Sequence, residues 1–224
     1  MLLAIPRVLA PDQVMLARSW LADERFVDGK LSAGAAARRV KANEEADRGT
    51  GNLERLDRLV MESLAKHPVY RNGALPLRAA SPTYARYLPG MAYGPHLDDP
   101  IMGAEGQPYR SDVAVTLFLS APGDYDGGEL VVRLAFGEQR VKFPAGDAVL
   151  YPAGSIHHVS PVTRGERLVA LTWVQSVVRD PARRELLYGL NAARETLLAR
   201  VPEAEETAQV NAAYLNLVRM WSDL

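Results

Sequence analysis

The sequence predicts a mainly β chain with flanking helices: a double-stranded β-helix (jelly-roll) core between N-terminal and C-terminal α-helices. Two observations carry this. Between about Arg78 and Gln175, short β-prone runs are separated by turn residues at the close spacing of an antiparallel sandwich. On either side, apolar residues recur at helical spacing instead. With 224 residues, 48% of them hydrophobic, the chain can bury one substantial core without disulfides or a structural metal. The expected division is a helical and mixed segment over 1–77 that packs on the core, the jelly-roll core over 78–178, and a helical extension over 179–224.

Taken in order, Val14, Leu16, Ala17, Trp20 and Leu21 form one face of a helix from Asp12 to Asp23, behind Pro11 in a favourable first-turn position. Asp28-Gly29 signals a turn, and Ala35 to Asn43 fits helix or strand equally. Leu53 to His67 reads as a second helix, with Leu56, Leu59, Val60, Ser63 and Leu64 on the face that buttresses a sheet. His67, ahead of Pro68, reads as a favourable C-terminal charge or a surface residue. Strands are expected near Thr83–Tyr87, Val113–Ser120, Glu129–Leu134, Glu138–Phe143, Ala148–Tyr151, His157–Val162 and Arg167–Val174. Turns are expected at Pro89-Gly90, Gly123 to Gly128, Phe136-Gly137, Pro144 to Asp147 and Arg164-Gly165. After Val178, Leu186, Leu187, Leu190, Ala193, Leu197 and Leu198 form a stripe, Pro202 breaks it, and Val210 to Trp221 closes a helical pair. That tail is expected to pack on the core, with a homodimer contact as its other role.

Composition narrows the chemistry. The 26 basic and 27 acidic residues nearly cancel, which argues against a surface built to hold nucleic acid or an anionic membrane. The absence of cysteine excludes disulfides, thiolate zinc sites and cysteine nucleophiles, so a transition metal must be held by histidine and carboxylate. The four histidines are His67, His96, His157 and His158. Met1 to Ala10 is apolar but short and interrupted by Pro6 and Arg7, unlike a signal peptide, and no later stretch is long and apolar enough to span a bilayer. A cytoplasmic location is expected.

In an extended segment residues i and i+2 point to one side, so His96 and Asp98 can present an imidazole and a carboxylate to one ion while Leu97 faces away. A histidine from a distant strand would complete the facial triad of a non-haem iron(II) site and leave positions open. His157 and His158 compete for that place, and strand alternation lets only one face the pocket. Register favours His157. Arg167 lies ten positions later, across the turn at Thr163-Arg164-Gly165, on a strand face shared with Val169, Leu171 and Trp173. A guanidinium aimed into a sandwich interior is costly without an anionic partner, and it is the side chain best suited to bidentate capture of a carboxylate.

These residues resemble the prolyl 4-hydroxylase group of 2-oxoglutarate oxygenases, and especially its bacterial PKHD-type hydroxylase branch. Beyond His96-x-Asp98, the run His157-x-x-x-Pro161-Val162-x-x-Gly165-x-Arg167 is similar to the distal-histidine segment of the group. Trp173 to Asp180, Ile5-Pro6-x-Val8-Leu9, Val27 to Lys30 with Ala33-Gly34, and Val40-Lys41-x-Asn43 extend the likeness to nearly the whole chain. The resemblance implies iron(II) at His96, Asp98 and His157, 2-oxoglutarate at Arg167 with an assisting hydroxyl from Tyr87, and L-ascorbate as reductant. It implies conversion of 2-oxoglutarate and O2 to succinate and carbon dioxide, coupled to hydroxylation of a small-molecule or peptide substrate, with a link to iron homeostasis.

Other readings of the same residues stand beside this one. A non-catalytic sensor of iron or 2-oxoglutarate needs the same pocket, and an AlkB-like nucleic-acid oxygenase shares the chemistry but finds no basic run. Zinc hydrolysis also suits two histidines and a carboxylate, but gives Arg167 no equally natural role. His158 is expected to face outward or to hydrogen-bond behind a ligand, and Asp99 to turn away into a loop. Tyr93 either lines the pocket or packs in the sandwich. Gly127-Gly128 is assigned backbone geometry and no chemistry. The loop from Asp99 to Arg110 is expected to act as a mobile lid over the substrate.

Overall fold

Backbone alternation splits the chain into two cores with one sheet between them. The computed structural model describes residues 1–50, 53–103 and 106–224. The N-terminal part runs β1 (Leu3–Ile5), α1 (Pro11–Ala22), β2 (Phe26–Asp28), β3 (Lys41–Ala42), β4 (Glu44–Ala46), α2 (Leu53–Lys66) and α3 (Pro68–Ala74). There follow β5 (Pro76–Ala79), β6 (Thr83–Tyr87), β7 (Ala92–His96), β8 (Ile101–Met102), β9 (Tyr109–Arg110), β10 (Val113–Phe118) and β11 (Tyr125–Gly127). The remaining strands are β12 (Leu130–Leu134), β13 (Gly137–Val141), β14 (Ala148–Pro152), β15 (His157–Val159), β16 (Val162–Gly165) and β17 (Arg167–Ser176). Helices α4 (Pro181–Arg200) and α5 (Glu205–Trp221) end the chain.

The major sheet has the order β1-β14-β10-β17-β6-β4-β2, with β5 also on β17, and the minor sheet the order β13-β12-β15-β7-β3. All these pairings are antiparallel, giving the expected jelly roll. Strand β10 shows how the layers arise. Val113, Val115 and Leu117 pack with Leu56, Val60 and Leu64 of α2 and with Val14 and Leu21 of α1. Ala114 and Phe118 point the other way, towards Leu130 and Val132 of the minor sheet. Buried on both faces, the strand is apolar at every position but Thr116 rather than alternating.

Several elements differ from the sequence reading, each for a local reason. Within the mixed segment before residue 78, four strands were not placed from sequence: β1, β2 and β4 extend the major sheet and β3 the minor one. Ala35 to Asn43 holds a 3-10 turn over Ala37–Arg39 and then β3. His67 directly follows α2, as expected, but has a further role. It caps α3, with Nδ1 accepting from the Val69 amide at 3.2 Å and Nε2 facing the Pro6 carbonyl at 3.0 Å, because Pro68 is well placed to begin a helix. The expected strand His157–Val162 breaks at Ser160-Pro161 into β15 and β16, which serve different sheets. The expected turn at Thr163 to Gly165 is part of β16, paired with β11 from within the glycine-rich run. Between Asp99 and Arg110 lies the β8–β9 hairpin; residues 104 and 105 of the expected lid fall outside the described residues.

The helical pair is present, but of the expected stripe on α4 only Leu187 is fully buried, with Leu190, Leu197 and Leu198 half-buried. Arg184, Leu187 and Asn191 face inward while Leu186 is 64% exposed. The buried guanidinium of Arg184 donates to the carbonyls of Val178, Arg179 and Asp112, so it satisfies main-chain acceptors where β17 runs into α4. At the far end of the tail, the Asp223 amide donates to the Val177 carbonyl and its carboxylate meets Arg110 at 3.2 Å. Among the described residues no helix is long and apolar enough to cross a membrane.

Candidate metal centre

Strands β7 and β15 are neighbours in the minor sheet, and their register sets His157 directly opposite His96. Asp98 follows two residues after His96, with Leu97 between them 51% exposed, as the alternation requires. One ligand atom from each of His96, Asp98 and His157 lies within 4.8 Å of the others, and His157 Nε2 is 3.7 Å from Asp98 Oδ1. His96 Nδ1 is 2.8 Å from the Gly94 carbonyl and His157 Nδ1 is 2.9 Å from the Ser155 carbonyl. A carbonyl only accepts, so both rings carry their proton on Nδ1 and turn the Nε2 lone pair to the cleft.

The rings are held from the side as well. Tyr93 stacks on His96 at 3.6 Å between centroids, and Tyr151 meets the edge of His157 at 5.1 Å. Burial pushes the His96 imidazole down to about 4, and His157 beside it adds to the effect, so His96 is neutral at pH 7, as a metal ligand must be. Burial raises the Asp98 carboxyl, with His157 the main opposing influence. Asp98 Oδ2 is buried and makes no hydrogen bond of ordinary geometry among the described residues, although the Trp173 indole lies close enough to favour the charged carboxylate.

Across a cleft of about 330 Å³, Arg167 begins β17 directly opposite Tyr87 of β6. Only 1% exposed, its guanidinium lies 4.9 Å from the Tyr87 ring centre and 5.8 Å from that of Phe118. Nε and Nη1 have no partner of ordinary hydrogen-bond geometry among the described residues, and the nearby Tyr125 hydroxyl offers them only a weak contact. Burial pushes the Tyr87 phenol up to about 12 against the influence of Arg167, so it remains a hydroxyl donor at neutral pH. A buried cation with no anionic partner among the described residues thus shares one cleft with two imidazoles and a carboxylate that could hold a metal ion.

Residues 82–175 match the 2OG-Fe(II) oxygenase superfamily, and residues 181–223 match the PKHD-type hydroxylase C-terminal domain. A PKHD-type hydroxylase of Thioalkalivibrio sulfidiphilus is 52% identical over 224 residues, covering 100% of both chains. The chain belongs to the PKHD-type hydroxylases. It is a 2-oxoglutarate-dependent dioxygenase. A PKHD-type hydroxylase of Stenotrophomonas maltophilia is 40% identical over 225 residues, again across 100% of each chain. Two solved structures share the fold at 18% identity. A prolyl hydroxylase from Trichoplax adhaerens, in complex with a hypoxia inducible factor peptide fragment, has a TM-score of 0.57 and covers 83% of this chain and 86% of its own. HygX from Streptomyces hygroscopicus, with nickel, 2-oxoglutarate and hygromycin B bound, has a TM-score of 0.51 and covers 79% and 84%.

In this hydroxylase the remaining residues singled out from sequence fall into place. His158 is half-buried opposite Val131 and does not line the cleft. Tyr93 takes both of its expected roles, lining the cleft and packing against the sandwich core, and it also stacks on His96. Asp99 is exposed yet lines the mouth of the cleft, against Gly34, so it is not turned away. Gly128, at φ 66°, does more than turn the chain: a Cβ there would press on Arg167 Cδ at 3.1 Å. Sequence reasoning missed Thr116 and Tyr151, which lack a spacing signal, and the wall formed by Lys41, Asn43 and Glu45. For that wall the residues Lys41-x-Asn43 were visible only as part of the family likeness.

Proposed function

We propose that this hydroxylase holds iron(II) through His96 Nε2, His157 Nε2 and Asp98, and binds the distal carboxylate of 2-oxoglutarate at Arg167 with the Tyr87 hydroxyl assisting. One observation carries the reading: a two-histidine, one-carboxylate set and a buried, anion-less guanidinium share a single cleft. The donor set fits iron(II), and Asp98 Oδ2 and Arg167 Nε and Nη1 are buried polar atoms that the metal and the co-substrate would satisfy. Bound iron(II) supplies the redox chemistry that couples decarboxylation of 2-oxoglutarate to succinate with hydroxylation of a substrate C–H bond.

The chain's own residues orient and shield. The main-chain carbonyls of Gly94 and Ser155 fix the imidazole tautomers, and Tyr93 and Tyr151 fix the ring planes. Arg167, seated among Tyr87, Phe118 and Val169, meets a carboxylate away from water, where a bidentate charge-assisted pair is strongest. L-ascorbate is the reductant expected to restore iron(II). The substrate is a small molecule or a peptide, and the role in iron homeostasis is tested by whether deleting the gene alters growth on limiting iron. A homodimer through the helical tail, where Leu186, Leu215 and Met220 stand exposed, is checked by sedimentation.

The decisive experiment gives purified protein iron(II), 2-oxoglutarate, ascorbate and oxygen and measures succinate. Succinate formation with the wild type and loss of 2-oxoglutarate binding in Arg167→Ala are the expected results. No succinate under any of these conditions, with 2-oxoglutarate binding intact in Arg167→Ala, would overturn the reading.

A further inference from the structure

A second polar surface faces the cleft. Lys41, Asn43 and Glu45 alternate along the segment that leaves β3 and enters β4, and extended backbone turns all three the same way. They are 6%, 4% and 7% exposed and line the cleft, whereas Ala42 is exposed and Glu44 is half-buried, bonded to Arg86. Because β3 pairs with β7 of the minor sheet and β4 with β6 of the major one, this stripe closes the side of the cleft between the sheets. Lys41 Nζ lies 5.3 Å from the centre of the Tyr93 ring, itself stacked on His96, so the stripe is one aromatic layer from the metal centre.

Its two charges satisfy each other. Lys41 Nζ is 2.5 Å from Glu45 Oε1 and also donates to the Ser32 hydroxyl at 3.0 Å. Asn43, between them, is different. Neither Oδ1 nor Nδ2 reaches a partner of ordinary hydrogen-bond geometry among the described residues, though the amide is near enough to the Tyr87 phenol to favour its ionised form. The amide fits there because residue 29 is glycine; a Cβ at that position would run into Asn43 Oδ1. A dry amide with no well-formed hydrogen bond at either end is destabilising, and it faces the cleft, where a ligand can pair it.

We infer that Asn43 makes the hydrogen-bonding contact to the primary substrate, and that it takes an uncharged donor–acceptor group of the carboxamide or peptide type. This rests on the function proposed above, which gives Arg167 and Tyr87 to the co-substrate and leaves Asn43 unassigned. Charge selects the class. With Lys41 and Glu45 neutralising one another, a carboxylate or ammonium set against Asn43 would enter a buried wall with no counter-ion. An amide group instead offers one donor and one acceptor to the Asn43 side chain.

The test uses full-length, 15N-labelled protein loaded with zinc(II) so that no turnover occurs. The Arg167 Nε–H signal and the Asn43 side-chain NH2 pair are followed by NMR. 2-Oxoglutarate is added first and should move the Arg167 signal. N-Methylacetamide, acetate and methylammonium are then titrated separately; the amide should shift the Asn43 pair saturably, with an apparent affinity about tenfold tighter than either ion. The same titrations on Asn43→Asp, read from the shift of the Tyr93 amide, should turn the preference towards methylammonium. An Arg167 signal that responds while the Asn43 pair ignores the amide, or follows the ions equally, overturns the inference alone. So does a 2-oxoglutarate titration that moves the Asn43 pair and blocks its response to the amide, or an unchanged preference in Asn43→Asp. An Arg167 signal indifferent to 2-oxoglutarate overturns the functional reading and the inference together.

Discussion

His96 and His157 face each other Cα to Cα across adjacent antiparallel strands, with their ring centroids 4.3 Å apart. Each is tied through Nδ1 to the carbonyl two residues before it, so the strands themselves aim both Nε2 atoms. Asp98 lies two residues beyond the end of β7.

Strand parity separates the two neighbouring histidines, since His157 is 5% exposed in the cleft and His158 lies off it. His157→Ala is expected to weaken iron(II) binding by on the order of 100-fold or more, and His158→Ala by less than about threefold. Anaerobic iron titration of both variants measures this, and equal losses would contradict the register argument.

Arg167 trades stability for binding. Replacing an unpaired, buried guanidinium with an apolar chain of similar length is expected to stabilise the ligand-free fold, so Arg167→Met should gain about 1–4 kcal/mol. The variant should also lose the roughly 2.7 kcal/mol of stabilisation that a ligand at 100 times its dissociation constant confers on the wild type. Denaturant unfolding with and without 2-oxoglutarate reads both numbers.

Gly127 has φ 71°, and a Cβ there would collide with the Pro161 carbonyl oxygen. Gly127→Ala should therefore destabilise by about 2–4 kcal/mol in thermal unfolding, because the β11–β16 ribbon must shift to relieve the contact.

Acid should remove one link between α1 and the loop before β11. Arg18 bonds Asp124 at 2.7 Å and holds that carboxyl below its ordinary 3.8, so near that pH the unfolded chain binds more protons than the folded one. The contribution is thus present above the unfolded value and lost as pH falls through the folded one. The pair is partly solvent-exposed, so Arg18→Gln should cost less than about 1 kcal/mol at neutral pH. The pH-dependent part of that difference should fade as acidification protonates Asp124 in the folded chain, as measured by urea unfolding across pH.

What was legible from sequence follows what each residue contacts. The face of β17 carrying Arg167, Val169, Leu171 and Trp173 was readable because strand alternation is purely local. The buried faces of α1 and α2 were readable from their periodicity, except that Leu16, expected on the inner face of α1, is exposed. Helix α3 was not, since Pro68, Asn72 and Gly73 look like chain breakers unless one sees that Pro68 opens a helix capped by His67. Strand β11 hid in a run of glycine and aspartate that reads as a turn until β16 arrives to pair with it. The Lys41–Asn43–Glu45 wall was hardest, because its polar residues point inward and Ala42 points out, the reverse of the usual pattern.

Among the described residues strand β1 joins the major sheet only through β14, with Leu3 opposite Leu150. In a chain made from its N terminus, that first strand has no partner until most of the protein has been synthesised. The cleft obeys the same schedule, since β7 waits for β15 and β6 waits for β17. Partners so distant in sequence make folding slow and leave strand edges bare in the meantime. A pocket that requires both histidines therefore cannot exist before β15 has been made and has paired with β7.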